Sequence, residues 1–216
     1  MRKIHIIDKL ILLHGTLNAK RATARPQTVH LRQGDMDGAC AVYSLMMAMI
    51  TCDIINRKEV EGLHYRIDGR SSLSKLLKRL TLDNQKEGLV REGLFLDRVD
   101  DAITHTFTRK MRSEYSNEIN NIEGIASYLD NHTPVIVGAT YRKNDGGHAL
   151  LAIGYEAENN EITKLFCLDP ATPYAECNYW NAVIHINCNN AKEYRHSYMP
   201  LNKDIKIDET IAIFKK

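Results

Sequence analysis

The feature that most constrains what this chain can fold into is a change of hydrophobic period at His132-Thr133-Pro134. Beyond that point the apolar residues fall into short β-branched runs: PVIVGATY from Pro134, HALLAIGYE from His148, EITKLFCLDP from Glu161, NAVIHINC from Asn181 and IKIDETIAIF from Ile205. Runs of this length, bounded by turn-forming residues, read as strands. Before it, apolar residues recur three and four apart. Ala41, Leu45, Ala48 and Met49 do so in a helical pattern that continues to Ile55, and three more such stretches run from Ser72 to Leu80, about Glu92 to Phe107, and Ile122 to Asn131. A helical half followed by a strand half reads as an α+β fold, helices packed on an antiparallel sheet.

Glu158-Asn159-Asn160 separates two of the runs and reads as a hairpin turn. An antiparallel pair joined there carries His148 at the start of one strand and Asp169 at the end of the other, so the two become neighbours. At the amino terminus, Ile4 to Leu13 is apolar enough for a strand, whereas Gly15 to Gln27 (GTLNAKRATARPQ) is polar and basic and reads as an exposed linker. The expected organisation is one domain over residues 1–216. It comprises an N-terminal strand and flexible arm (1–32), a mainly helical half (33–132) and a sheet half (133–216).

Charge and motif content narrow the function. In 216 residues, 29 basic and 27 acidic side chains give a formal charge of +2, far from the basic excess of a phosphate-backbone binder, so no nucleic-acid partner is expected. The longest apolar runs fall far short of the ~18 residues of a membrane span. Asp8 and Lys9 interrupt the apolar stretch that follows Met1-Arg2-Lys3, so no secretory leader is recognised and the chain is read as starting at Met1. Five cysteines, an odd number without paired spacing, fit a reducing compartment, and a cytoplasmic setting is expected, or delivery as an effector. With neither a CxxC nor a His-Glu-x-x-His motif, no metal or organic cofactor is expected. Oligomeric state is left open.

Three residues then converge on one chemistry. Cys40, in DGAC, falls in the first turn of the first helix, with Asp37-Gly38 as its expected cap. A helix start and a nearby imidazolium both favour the thiolate, which is the reactive form. His148 opens a strand after two glycines, and a histidine that shares the thiol proton needs its second ring nitrogen held by a fixed acceptor. Asp169, in CLDPA, is the candidate holder. Gln33, in LRQGDMDGAC, lies seven residues before Cys40, and its amide could join the Cys40 backbone N–H in stabilising an oxyanion. Cys52, Cys167 and Cys188 sit on apolar elements and read as small buried hydrophobes. Asp35 and Asp37 read as loop and cap carboxylates. Lys20, Arg21 and Arg25 read as a solvated basic run, and Tyr141, Tyr155, Tyr174, Tyr179 and Trp180 as core or cleft-rim aromatics.

In order along the chain, Gln33, Cys40, His148 and Asp169 resemble the papain-like cysteine peptidase superfamily, whose order is oxyanion glutamine, nucleophilic cysteine, histidine, then asparagine or aspartate. The LDPA motif and the small helix led by the cysteine look more like the bacteriocin-processing, double-glycine peptidase-like branch than like the plant and lysosomal enzymes. The resemblance covers Gln33 to Ile50 and Gly146 to Ala171. It departs from the common pattern in a Gln-to-Cys spacing one residue longer and in Ala41 after the cysteine. It implies a papain-like fold, a polypeptide substrate and hydrolysis of a peptide or isopeptide bond through a Cys40 thioester. The same residues would serve an acyltransferase or transglutaminase-like toxin, and a relative that has lost catalysis would be a peptide-binding module. Residues before Gln33 could form an inhibitory or self-cleaved arm.

Overall fold

The computed structural model describes residues 1–34, 38–62, 69–82, 93–142, 146–174, 176–199 and 201–216. Four strands come first: β1 (Arg2–Ile6), β2 (Leu10–Leu13), β3 (Thr16–Ala19) and β4 (Gln27–Thr28). Helices α1 (Cys40–Thr51), α2 (Arg57–Glu61), α3 (Ser72–Leu82) and α4 (Leu96–Thr106) follow, then β5 (Met111–Ser116) and α5 (Ile122–Asp130). The remainder is β6 (Val135–Tyr141), β7 (Gly147–Glu158), β8 (Glu161–Leu168), β9 (Ala182–His185), β10 (His196–Met199) and β11 (Lys203–Lys215).

The carboxy-terminal strands do more than form an open sheet. Every pairing is antiparallel, and the order β7-β6-β11-β10-β9-β8 closes on itself through β7 with β8, making a six-stranded barrel. Closure removes the edges that an open sheet would expose. Two strands from outside the expected sheet half extend it: β1 pairs with the far half of β7, and β5 with the far half of β11. The hairpin between β7 and β8 turns at Asn159 and Asn160, both at positive φ (51° and 68°), the conformation a two-residue type I′ turn requires.

Against the barrel lies α1, packed on β7 and β6. Ten of its twelve residues are buried, Ala41, Val42 and the whole stretch from Ser44 to Thr51, so the helix is covered nearly all round rather than along one stripe. It ends at Thr51, four residues before the expected Ile55. Asp53 takes a positive φ (51°), its N–H closes on the Ile50 carbonyl, and its carboxylate is held by Arg21 at 2.9 Å and Lys215 at 3.1 Å. No helix among the described residues is long and apolar enough to cross a membrane.

Within Gly15 to Gln27, expected as a linker, β3 pairs with β2 and β4, and Leu17 and Ala19 are fully buried. His14 and Gly15, both at positive φ, make the tight turn, and a four-residue strand shows too little apolar alternation to stand out. The stretch Ile4 to Leu13 is two strands in different sheets, broken at Asp8-Lys9. β5 lies in the expected helical half, and β10 falls between the expected strand runs from Asn181 and from Ile205. α4 starts at Leu96, while Glu92, like Asp35 and Asp37, lies outside the described residues.

Candidate active site

The thiol of Cys40 sits at the first residue of α1, where the N-cap position, Ala39, supplies no side-chain cap. The first-turn N–H groups therefore present a partial positive charge to the sulfur. α1 is pinned to β7 at this level through Ala149: its N–H donates to Cys40 Sγ at 3.4 Å, and its carbonyl accepts from Ser44 Oγ at 3.1 Å. His148 precedes Ala149, so the clamp that holds the helix also fixes the imidazole beside the sulfur.

His148 Nε2 donates to Asp169 Oδ1 at 2.7 Å. A carboxylate can only accept there, which leaves Nδ1 as the ring nitrogen for the Cys40 sulfur. Burial alone would raise the Cys40 pKa. The hydrogen bond and positive charge of His148, with the Ala149 and Ala41 N–H groups, outweigh it and hold the thiol below its ordinary value. Burial would likewise lower His148, yet the bond to Asp169 and the sulfur's hydrogen bond and charge push it up to about 9. Asp169 is fully buried, which by itself favours the neutral acid, but His148, Thr172 and Tyr198 bring it down to about 2. The three shifts agree on one charge state, thiolate, imidazolium and carboxylate in a row.

Sequence reasoning missed most of what surrounds Asp169. Oδ1 also accepts the Ala171 N–H at 2.8 Å, while Oδ2 accepts the hydroxyls of Thr172, at 2.6 Å, and Tyr198. Asn181 grips the same turn by its backbone, accepting the Asp169 N–H at 2.7 Å and donating to the carbonyls of Asp169 at 2.9 Å and Thr172 at 2.8 Å. His30 Nε2 reaches the Asp169 carbonyl at 2.9 Å. The Ala171 and Thr172 contacts are a local Asp-x-x-Thr turn, readable in DPAT. Tyr198, Asn181 and His30 arrive from distant strands and loops and leave no local signal.

Gln33 is tied to that turn, its N–H donating to the Pro170 carbonyl at 2.9 Å. It lines the same cleft as Cys40 and His148, and its Oε1 is buried without a partner among the described residues, so that oxygen is not spent on holding a turn. The cleft encloses about 910 Å³. Phe95 and Ile119 on its wall are 70% and 51% exposed. Tyr115, Asp208 and Glu209 line it as well, the last two at a bulge in β11 opposite Gly138. None of Tyr141, Tyr155, Tyr174, Tyr179 and Trp180 does: Tyr141 packs on Tyr198, Tyr155 on His5, Tyr174 on His30 and Trp180 on Phe166.

Among the remaining cysteines, Cys52 and Cys167 are buried as expected, but Cys188 is exposed. It follows β9, where the chain has left the barrel. Arg21 is ion-paired with Asp53 rather than solvated. No residue before Gln33 lines the cleft, so the described N-terminal segment does not cross it as an arm. Among the described residues no three His, Cys, Asp or Glu side chains are grouped to hold a metal.

A family model described as the Peptidase_C39 like family matches residues 23–203, most of the chain. No curated protein matches the sequence.

Proposed function

The chain belongs to the Peptidase_C39 like family, a cysteine peptidase family, and on that premise we propose that it hydrolyses peptide or isopeptide bonds through a thioester on Cys40. Cys40 is the nucleophile, His148 the proton carrier and Asp169 the group that orients it. The observation that carries this reading is the position of His148, whose Nε2 donates to Asp169 Oδ1 at 2.7 Å while the N–H of the next residue, Ala149, meets the Cys40 sulfur at 3.4 Å.

The thiolate attacks the carbonyl carbon, and the electron pair moves to the oxygen. Gln33 and the Cys40 backbone N–H take up that negative charge, a role in which one donor is worth about 3 kcal/mol. When the tetrahedral species collapses the C–N bond breaks, and the leaving amine takes the proton from His148 Nδ1. A water then gives its proton to the neutral imidazole as it attacks the thioester, releasing the acid and restoring the thiolate and imidazolium. Within the family, LDPA and the small cysteine-led helix favour the double-glycine-processing branch.

The test is a peptide mixture incubated with the parent chain and with Cys40→Ala, cleavage read by mass spectrometry, beside iodoacetamide labelling mapped by peptide. Cleavage lost with Cys40, and Cys40 labelled much faster than the exposed Cys177, are the expected results. Equal labelling of the two, unaffected by His148→Ala, would overturn the reading.

A further inference from the structure

Beyond the four residues already given roles, we propose that Tyr198 is a positioning residue, with Thr172 its companion. Their hydroxyls hold Oδ2 of Asp169 so that Oδ1 alone faces His148 and the carboxylate remains a weak enough acceptor for the imidazolium to release its proton. The inference rests on the peptidase reading and extends it to a residue that touches neither sulfur nor substrate.

The geometry is that of a fully occupied acceptor. Each oxygen of the buried Asp169 carboxylate takes two donors, His148 and the Ala171 N–H on Oδ1, the Thr172 and Tyr198 hydroxyls on Oδ2. Tyr198 is 2% exposed on β10, its backbone fixed between Ile184 of β9 and Lys203 of β11. Its ring lies 6.0 Å from the His148 ring and 6.2 Å from that of Tyr141. A hydroxyl held this way cannot turn to water, and burial together with the Asp169 charge raises its pKa, so it remains a donor wherever the enzyme works. Charge drawn onto Oδ2 is withdrawn from Oδ1, and a carboxylate with fewer donors holds a partner's proton more strongly.

Tyr198 therefore has a consequence that a merely packed tyrosine would not. In Tyr198→Phe the ring stays and the donor goes, Asp169 binds the imidazolium more tightly, and His148 becomes a poorer acid toward the leaving amine. The other groups facing this charge are displaced away from the His148 titration: the Cys40 thiol is held below its ordinary value, the thiol of Cys167 and the hydroxyl of Tyr141 are pushed up by burial and by the Asp169 charge, and His30 is held low by burial.

The experiment reads the imidazolium without needing a substrate. Iodoacetate is an anion, so its attack on Cys40 slows when His148 loses its charge, giving an alkaline limb that His148→Ala removes. In Tyr198→Phe that limb should move up by about half a pH unit, while hydrolysis of any peptide the parent cleaves slows by about fivefold in kcat with KM unchanged. Thr172→Val, which removes the other hydroxyl, should move the limb the same way. A limb that stays in place or falls in both variants, as a loosened pocket would produce, overturns the role of Tyr198. A parent limb that His148→Ala does not remove overturns the thiolate–imidazolium reading itself, and this inference with it.

Discussion

His148 Nε2 and Asp169 Oδ1 stand 2.7 Å apart, and the carboxylate has no exposed surface. Its charge is therefore unscreened by water, and against the cost of burial Asp169 and the Cys40 sulfur together lift the imidazole to about 9. In Asp169→Asn the amide oxygen can still accept the Nε2–H while the charge is gone. The imidazole titration should fall from about 9 toward 6.5, read from the ring protons of His148 by NMR, and peptide hydrolysis should fall about a hundredfold. An imidazole that still titrates near 9 in the variant would mean that the sulfur, not Asp169, holds its proton.

Cys40 is held below, and His148 raised above, their ordinary values, so between the two titrations the pair exists as thiolate and imidazolium. The thiolate is present above the Cys40 titration and lost as pH falls through it. The ultraviolet thiolate absorbance of the parent minus that of Cys40→Ser should be positive at pH 7 and vanish in acid. Buried Cys52, pushed up to about 11, adds nothing at that pH. With His148→Ala the thiolate loses its counter-charge, and the difference should disappear at pH 7. A parent that shows no difference there would mean that burial outweighs the imidazole.

How much of this could be read from the chain follows from which contacts are local. The pairing of His148 with the Asp169 turn is set by one hairpin, since Asn159-Asn160 starts a register that, across two bulges that offset each other, runs from Glu158 and Glu161 to Leu151 and Leu168. Period and turn chemistry suffice for that. Closure of the barrel depends instead on β10, four residues with two buried side chains, His196 and Tyr198, too short to show alternation among the polar residues around it. The arrival of Tyr198 on Asp169 follows only from that closure. β3 escaped for a related reason, because Leu17 and Ala19 are its only apolar residues and their burial is decided by the sheet they join.

His196 makes the barrel sensitive to acid. It is fully buried, Nδ1 accepts the Asn187 N–H at 3.1 Å, and Nε2 has no partner among the described residues. Burial, then the Arg195 charge, lowers it from 6.5 to about 4. A base with a depressed folded pKa contributes stability that is complete above the unfolded value and lost as pH falls through the folded one. Between pH 7 and pH 5 the loss should be about 2 kcal/mol, measured by urea unfolding. His196→Phe should flatten the curve over that interval, and an equal slope in the variant would assign the loss to other groups.

Gly154 sets how closely β1 can approach β7. A Cβ there would run into the His5 carbonyl oxygen and lie 2.6 Å from Ile6 Cδ1 and 3.0 Å from Ile6 Cα. Backbone cannot yield as a side-chain tip can, so Gly154→Ala should cost about 2 kcal/mol. The cost should be local, with amide exchange in Arg2–Ile6 accelerating more than in β6. Unchanged urea stability would mean that β1 has room to shift.

Gln33 separates the two halves of the proposed reaction. Alkylation of Cys40 develops no charge on a carbonyl oxygen, whereas acyl transfer does, so a donor aimed at that oxygen matters to one and not to the other. Gln33 lines the cleft with an amide oxygen that has no partner among the described residues, and its backbone is tied to Pro170 in the turn that carries Asp169. Gln33→Ala keeps the backbone bond and removes the amide. Hydrolysis should fall by about 10²-fold in kcat, with the rate of Cys40 alkylation by iodoacetamide within twofold of the parent. If both rates fall together, Gln33 acts by shaping the cysteine's surroundings. If neither falls, the oxyanion is held by the Cys40 N–H with some other donor.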